Sequence, residues 1–594
     1  MPSSKSGRLL ALTLLTVTLL AGCSPSHYRK VIVIGVDGMD PAFVERHWAD
    51  LPNLARLRQR GSYSHLATTY PPQSPVAWST FITGLDPGEH GIFDFVHRDP
   101  RTRQPYLSTD KTIGPRFTLS LGPWELPLSR ARVVSLRKGR AFWEYLSDRG
   151  IPVTIVRIPA NYPPSGAGRE LAGMGTPDLR GTEGTFSYYT DDPAETSREV
   201  PGGMIRRVAL DGDHAALNVE GPPNPLRRDR AYASARLIVD VDPDRPYARL
   251  EVDDTRAIVR QGEWSGWLPA EFPLLSHFAT ARGMFRVFAK QLHPRFELYV
   301  SPVNLDPEAP SLPISTPESY ARQVAASAGR WSTLGIPEDT AALRQGVFDL
   351  PEFLSQSQLV FTEEQRLLDD SLRRFSGGLL FFYFSAVDQN SHVLWGRHEG
   401  KLLDIYRAVD ACIGEVMRRE PQAELMVMSD HGFAAFDRAV NLNTWLISRG
   451  FGGKAYALGL NGLYLVDKRA GEEVRKQLLD VRDPADGRRM VSSVAATNPS
   501  PENRDIAPDL IVGYRAGYRA SWETALGEAP EGLVRDNDDA WIGDHCIDPK
   551  EVPAVLFTTR PMRAQAPGLK DLPVSVLALY GVARPSPMTG RSIF

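Results

Sequence analysis

Three short apolar runs in the chain each lead into an acidic residue. The runs and their acids are 31–36 with Asp37, 378–387 with Asp388, and 424–429 with Asp430. A parallel strand that is buried on both faces is a short apolar run, and functional groups in open α/β sheets collect beyond the carboxyl ends of such strands. We therefore expect the three acids to share one site.

The order of the elements predicts the fold class. Strand and helix alternate from Tyr28 to Gly84 and again over 141–158, which predicts an α/β fold with a mostly parallel central sheet flanked by helices. The pattern then changes to short alternating strands separated by turn signals, typical of a β-rich insertion. The predicted segments are 1–23 as a leader, 28–184 as the first part of the core, 185–305 as the insertion, 306–377 as a helical connection and 378–594 as the second part of the core.

Length, charge and the first residues limit the possible functions. At 594 residues the chain is too long for one core, and its 68 basic residues nearly balance 71 acidic ones, so no nucleic-acid polymer is expected as a partner. The apolar run 9–20 is too short to span a membrane, and 20–23 resembles a bacterial lipoprotein box. That resemblance implies lipidation of Cys23 and an extracytoplasmic protein anchored to a bacterial membrane, whereas an ordinary signal peptide or a short anchor helix is the alternative.

Histidines near these acids add candidate metal ligands. If the chain turns helical after the second run, Asp388 and His392 share one helix face, and His431 follows Asp430 directly. His545, in an Asp-rich loop before another apolar run, is a further candidate. Carboxylate oxygen and imidazole nitrogen suit zinc, and two catalytic sites need about six protein ligands. Each histidine by itself is more simply explained as a structural imidazole, whereas the histidines together at successive strand ends favour a metal site.

Ser74 is the candidate nucleophile. Pro75 follows Ser74, and Gly84 lies ten residues further on, where it would end a helix. Ser74 therefore has the pattern of a helix N-cap, which is a purely structural interpretation. The same position at a helix N-terminus would suit phosphoryl chemistry, because free N–H groups and the helix dipole favour an anion there. A bound metal would lower the pKa of the hydroxyl.

Together these motifs resemble the alkaline phosphatase superfamily, and within it the type I phosphodiesterase/nucleotide pyrophosphatase branch. The resemblance rests on motifs in the expected order, namely Asp37, Ser74 with Thr83-Gly84, Asp388 to His392, Asp430-His431-Gly432, and His545. It implies a phosphate-ester substrate, two divalent ions of the zinc type and a phosphoserine intermediate. One zinc would be surrounded by Asp37, Ser74, Asp430 and His431, and the other held by Asp388, His392 and His545.

Two features leave alternatives open. Ala77 stands where nucleotide-hydrolysing members commonly have Asn, so a phosphomonoesterase or phosphonate hydrolase on the same core is an alternative to a phosphodiesterase. Val76 and Trp78 do not fit the formylglycine signature of sulfatases. A non-catalytic envelope lipoprotein that binds through its insertion is the alternative from another class. The basic stretch 130–140 is either a solvated face or a feature that steers anions.

Overall fold

The computed structural model describes residues 28–275 and 278–594, so the leader and Cys23 lie outside the described residues. The helices are α1 (Pro41–Arg46), α2 (Pro52–Arg60), α3 (Ser74–Thr83), α4 (Pro87–His90), α5 (Phe142–Ser147), α6 (Ser319–Ala328), α7 (Thr340–Arg344), α8 (Leu350–Arg374), α9 (Ala386–Leu394), α10 (Glu399–Arg419), α11 (Leu442–Ser448), α12 (Gly471–Leu478), α13 (Trp522–Ala525) and α14 (Asp571–Leu579). Among the described residues, no helix is both long and apolar enough to cross a membrane.

The strands are β1 (Lys30–Val36), β2 (Ser62–Leu66), β3 (Val96–Arg98), β4 (Pro105–Leu107), β5 (Asp110–Ile113), β6 (Thr118–Leu121), β7 (Trp124–Pro127), β8 (Arg132–Ser135), β9 (Val153–Val156), β10 (Arg169–Leu171), β11 (Phe186–Thr190), β12 (Gly203–Arg207), β13 (His214–Pro223), β14 (Tyr232–Val241), β15 (Tyr247–Val252), β16 (Thr255–Arg260), β17 (Leu268–Leu275), β18 (Ala279–Phe285), β19 (Val287–Gln291), β20 (Glu297–Val300), β21 (Asn304–Leu305), β22 (Ser315–Thr316), β23 (Gly378–Phe384), β24 (Glu424–Met428), β25 (Ala434–Val440), β26 (Ala455–Ala457), β27 (Gly462–Leu465), β28 (Val491–Ala496), β29 (Leu510–Tyr514), β30 (Gly517–Ala520), β31 (Val534–Asp536), β32 (Gly543–Asp544) and β33 (Ala554–Thr558).

In the part of the chain that the structure describes, the central sheet has eight strands in the order β2-β33-β24-β1-β23-β9-β10-β22. The five middle strands, from β24 to β10, are parallel to one another, and the strands at both edges pair antiparallel. The predicted α/β class with a mostly parallel sheet is therefore confirmed. Because β24, β1 and β23 are adjacent and parallel, their carboxyl ends meet at one edge.

Alternate side chains of β1 enter separate cores on the two faces of the sheet. Ile32 and Ile34 pack into the core that contains side chains of α1, α2, α8 and α10. Val31 and Val33 pack into the core that contains side chains of α3, α5 and α14. Burial on both faces explains why the strand reads as a continuous apolar run.

The structure differs from the prediction at the end of the second apolar run. The strand of that run ends at Phe384, and Asp388 lies in the first turn of α9 rather than at a strand end.

Strands β11 to β21 and helices α6 to α8 lie between residues 186 and 374, while the exact domain boundaries stay a prediction. The sequence did not predict the hairpins formed by β3 to β8, or the smaller unit from β25 to β32, which has a core of its own.

Candidate metal centre and catalytic serine

The seven predicted ligand and nucleophile residues converge at the carboxyl edge of the central sheet. Asp37 follows β1, Asp430 and His431 follow β24, and Asp388 and His392 lie one turn apart on α9. His545 comes from the segment directly after β32. All of these side chains are buried, as is that of Ser74, which begins α3. Cys23 lies outside the described residues.

The candidate ligands form two clusters. In one, His431 Nε2 lies 3.2 Å from Asp430 Oδ2 and 3.4 Å from Asp37 Oδ1. In the other, Asp388 Oδ2 lies 3.5 Å from His392 Nε2, and its Oδ1 lies 3.8 Å from His545 Nε2. The rings of His431 and His545 stack with their centroids 3.6 Å apart, so the two clusters adjoin.

The three imidazoles are held in the same way. The Nδ1 atoms of His392, His431 and His545 contact the backbone oxygens of Gly543, Gly432 and Pro72, at 2.8, 3.1 and 2.8 Å. A carbonyl oxygen can only accept, so Nδ1 carries the proton and donates it. Each Nε2 then has no proton, and its lone pair is directed into its cluster. Metal-binding histidines adopt this arrangement.

The electrostatics of the metal-free clusters favour bound cations. Burial first, and then Asp388, raise the pKa of Asp37 to about 6, and burial raises that of Asp388 to about 6 as well. Burial, followed by these two carboxylates, raises the pKa of Asp430 well above its usual value. Among the described residues, Asp388 Oδ1 and Asp430 Oδ2 have no hydrogen-bond partner. Two divalent ions would satisfy these oxygens and offset the charge, so the residues fit such ions.

The first turn of α3 presents Ser74 to the first cluster. Gln73, not Ser74, is the N-cap, so the capping interpretation of Ser74 was wrong by one residue. The Ser74 Oγ atom instead lies 3.1 Å from His431 Nε2 and 3.4 Å from Asp37 Oδ1. Gly84 ends the helix in the left-handed conformation, as predicted.

Asp37 is oriented by two neighbours that sequence reasoning missed. Its Oδ2 atom accepts hydrogen bonds from Trp78 Nε1 at 2.9 Å and from the Tyr383 hydroxyl at 2.7 Å. These bonds leave Oδ1 for His431 and Ser74. The sequence contained one signal for Trp78, which lies four residues after Ser74 and therefore on the same helix face.

Asp544 and Arg519 support His545 from behind and were also missed. Asp544 Oδ1 accepts from the backbone N–H groups of His545 and Cys546, at 2.8 and 2.7 Å. Its Oδ2 accepts from Arg519 Nη1 and Trp541 Nε1, both at 2.8 Å. Burial alone would raise the pKa of Asp544, but Arg519 and the histidines lower it, so the buried carboxylate is charged. No motif links these residues, because separate strands bring them together.

A cavity of about 330 Å³ opens beside Ser74 and the second cluster. Most of its lining is apolar, and much of that comes from the smaller unit and from the loop before β3. The apolar lining residues are Phe95, Val96, Met174, Ile336, Leu460, Trp522, Ala525, Leu526 and Trp541. Trp541 also stacks on the His392 ring at a centroid distance of 3.6 Å. An organic substituent could therefore lie next to the serine.

Comparisons with known proteins identify the family of the chain. The sequence profile of the type I phosphodiesterase/nucleotide pyrophosphatase family matches residues 31–201 and 294–528. Phosphonoacetate hydrolase from Sinorhizobium meliloti 1021, in complex with phosphonoacetate, has a TM-score of 0.47 and 13% identity, over 93% of this chain and 96% of that one. Murine ectonucleotide pyrophosphatase/phosphodiesterase 5 has a TM-score of 0.42 and 10% identity, over 94% and 96%. A comparison with curated protein sequences found no match.

Proposed function

The chain belongs to the type I phosphodiesterase/nucleotide pyrophosphatase family and is thus a hydrolase of phosphoric esters, and we propose that it cleaves phosphodiesters with Ser74 as nucleophile. The observation that carries the proposal is the position of the Ser74 Oγ atom. It lies within 3.4 Å of both His431 and Asp37 in the first cluster and at the wall of the cavity that reaches the second.

The ligand chemistry supports zinc in both clusters. Asp37, Asp430 and His431, with Ser74, would hold one ion, and Asp388, His392 and His545 the other. Three imidazoles among the ligands favour zinc over magnesium or calcium, which prefer oxygen. When bound, the ions would lower the pKa of the Ser74 hydroxyl and neutralise charge on the phosphoryl oxygens.

The side chains of the site then have separate tasks. Ser74 Oγ releases its proton to solvent and attacks phosphorus in line, the bond from phosphorus to the leaving oxygen breaks, and the leaving group takes up a proton from solvent. Water next attacks the phosphoserine, which releases the phosphomonoester and restores the hydroxyl. The N-terminus of α3 directs its positive dipole end toward the phosphoryl group, and Trp78 and Tyr383 keep Asp37 oriented.

The cavity lining supports a diester over a monoester. A monoester carries two negative charges, whereas the wall beside Ser74 is mostly apolar, and its one arginine, Arg519, already donates to Asp544. A diester has one negative charge and an organic substituent that apolar side chains can bury. Phosphomonoester and phosphonate hydrolysis remain the alternatives that measurement has to separate.

The test uses a chain that begins at Ser24, because all three described cores consist of residues from 31 onward. We expect about two zinc ions per chain by elemental analysis. We also expect faster turnover of bis(p-nitrophenyl) phosphate than of p-nitrophenyl phosphate or phosphonoacetate. Ser74→Ala should lower diester turnover by roughly a thousandfold or more while the bound zinc is largely retained.

Ser79→Ala is the matched control, because Ser79 lies on the same helix, is equally buried and only donates to the Pro75 carbonyl. It should keep turnover within a few-fold of the parent. Absence of bound metal, or equal activity of Ser74→Ala and parent, would overturn the mechanism. A preference for the monoester or for phosphonoacetate would replace the diester with that alternative.

Placement outside the cytoplasm is part of the proposal and rests on the N-terminal sequence alone. The apolar run 9–20 and the lipobox-like 20–23 support lipidation of Cys23. In a bacterial host, Cys23→Ser should abolish incorporation of labelled fatty acid into the chain. Labelling that persists in this variant would refute the anchor.

A further inference from the structure

The hairpin of β6 and β7 exposes an apolar face that none of the site chemistry uses. Its cross-strand pairs are Leu119 with Leu126 and Leu121 with Trp124, and the N–H of Leu128 donates to the Phe117 carbonyl just below them. These six side chains are between 39 and 63% exposed. Opposite residues of an antiparallel pair share one face, so the six form a continuous apolar strip on the exposed hairpin.

Two more segments are hydrogen-bonded in turn to the hairpin side of this strip. The N–H of Glu125 donates to the Leu226 carbonyl at 2.8 Å and that of Arg228 to the Pro123 carbonyl at 3.0 Å, which joins the hairpin to the loop 224–230. Asn224 Nδ2 in turn donates to the Leu274 carbonyl. Beyond it, Leu275 is partly exposed and Phe278 is 91% exposed. We call the six hairpin residues together with Leu275 and Phe278 the apolar tip.

The charges around the apolar tip are mainly positive. The segments 110–132 and 224–230 contain seven basic and three acidic residues. Of the acids, Glu125 is paired with Arg230 and Asp229 with Arg227. Arg116, Arg130 and Arg228 are exposed, and the Arg116 guanidinium lies 5.2 Å from the centre of the Phe117 ring. The tip therefore combines exposed aliphatic and aromatic groups with surplus guanidinium charge.

We propose that the apolar tip docks on the surface of an anionic lipid bilayer. Apolar side chains would enter the boundary between headgroups and acyl chains, where Trp124 suits the interface, and the flanking arginines would meet lipid phosphates. A second copy of this chain is the less suitable occupant, because a twofold contact would bring two like-charged tips together. Binding by the tip is independent of the Ser74 chemistry and of any lipid on Cys23.

A single fluorescent probe tests the insertion directly. In the chain from Ser24, the two remaining cysteines are buried, so Leu121→Cys can be labelled selectively with an environment-sensitive dye. We expect its emission to rise and shift to the blue with phosphatidylglycerol-containing vesicles, and to change little with phosphatidylcholine alone. Ile258→Cys is the matched control, since Ile258 is exposed on β16 outside the tip, and its dye should stay in water.

Measurements of partition onto vesicles separate the contribution of the apolar tip from that of the flanking arginines. Leu119→Ser with Leu128→Ser should weaken vesicle binding at least tenfold, since these exposed leucines would be buried only in the bilayer. Arg116→Gln with Arg228→Gln should weaken binding to anionic vesicles roughly thirtyfold and flatten its salt dependence, since each basic residue near such a surface contributes about fivefold. Ile258→Ser should bind like the parent. All variants should keep their activity on bis(p-nitrophenyl) phosphate, which shows that they are folded.

Three outcomes would overturn the proposal. One is a parent chain that fails to bind anionic vesicles, and another is a dye at residue 121 that responds no more than the dye at residue 258. The third is dimerisation of the parent in sedimentation that the double leucine variant abolishes without any change in vesicle binding, which would assign the tip to contacts between copies.

Discussion

Asp544 is a buried carboxylate whose two oxygens together accept four hydrogen bonds. Two of them fix the backbone on which His545 stands, and the other two come from Arg519 and Trp541. The Arg519 guanidinium also stacks on Trp522, 3.9 Å from the ring centre, and only 1% of its side chain is exposed. Asp544 therefore holds the proposed metal ligand His545 in place and neutralises a buried cation.

Asp544→Asn should destabilise the chain and weaken the second cluster together. The amide cannot neutralise Arg519, and uncompensated buried charges of this kind cost about 3–5 kcal/mol of unfolding free energy. Loss of support for a metal ligand typically lowers metal affinity about 10–100-fold. Urea unfolding of the metal-free chain and competition with a zinc chelator measure the two effects.

A more exposed ion pair provides the control for Asp544→Asn. Asp536 on β31 pairs with Arg438 on β25, but 73% of the Asp536 side chain is exposed, so Asp536→Asn should change neither quantity appreciably. Unchanged zinc affinity in Asp544→Asn would show that Asp544 does not position His545. The Arg519–Asp544 pair could not be predicted from the sequence, because a single Arg in one strand and a single Asp in another carry no spacing signal.

At the scale of elements, the turn after β24 depends on a glycine. A Cβ atom on Gly432 would lie 2.6 Å from the Pro553 carbonyl oxygen and 2.5 Å from Asp40 Oδ2. The Gly432 N–H donates to the Val552 carbonyl, and its own carbonyl accepts from His431 Nδ1. The glycine is needed for the close approach of two backbones, and its carbonyl also orients the proposed metal ligand His431.

Gly432→Ala should therefore push the turn away from residue 553. The overpacking should cost about 1–3 kcal/mol of unfolding free energy, and the displaced His431 should lower zinc affinity and diester turnover. Gly400→Ala in α10 is the matched control, since a Cβ atom there meets nothing within 4 Å and alanine favours a helix by about 1 kcal/mol. Wild-type zinc affinity in Gly432→Ala would contradict this account.

The elements also show which parts of the fold the sequence could reveal. The buried parallel strands and the turn of α9 follow from local pattern, since a continuous apolar run or a spacing of four residues is visible in one segment. The β25 to β32 unit is different: β25 pairs with β30, β31 and β32, which come from about 80 to 110 residues away. Such pairings leave no local signal, so the half of the cavity that contains Arg519 and Trp541 could not be predicted.

At the scale of the whole molecule, the order of strands in the central sheet places three acidic side chains close together. Strands β1 and β24, and the first turn of α9 after β23, bring Asp37, Asp430 and Asp388 to one buried edge, so like charges lie together in the metal-free chain. Between a pH of about 3.8 and 6, the folded chain binds more protons at Asp37 and Asp388 than the unfolded chain does. The stability from these groups is therefore complete below the lower value and is lost as pH rises through the upper one.

Bound zinc should reverse this trend, so its stabilising effect should grow with pH. At one fixed zinc concentration, we expect zinc to raise the unfolding free energy by at least about 2 kcal/mol more at pH 7.5 than at pH 5, since each pKa unit corresponds to about 1.4 kcal/mol. His392 adds little to the change over this range, because burial lowers its pKa to about 4 and the imidazole is already neutral at pH 5. Thermal unfolding with and without a chelator at both pH values measures the difference. Ser74→Ala, which retains the six Asp and His ligands, should show the same difference without turnover, whereas equal stabilisation at the two pH values would rule out metal binding by these carboxylates.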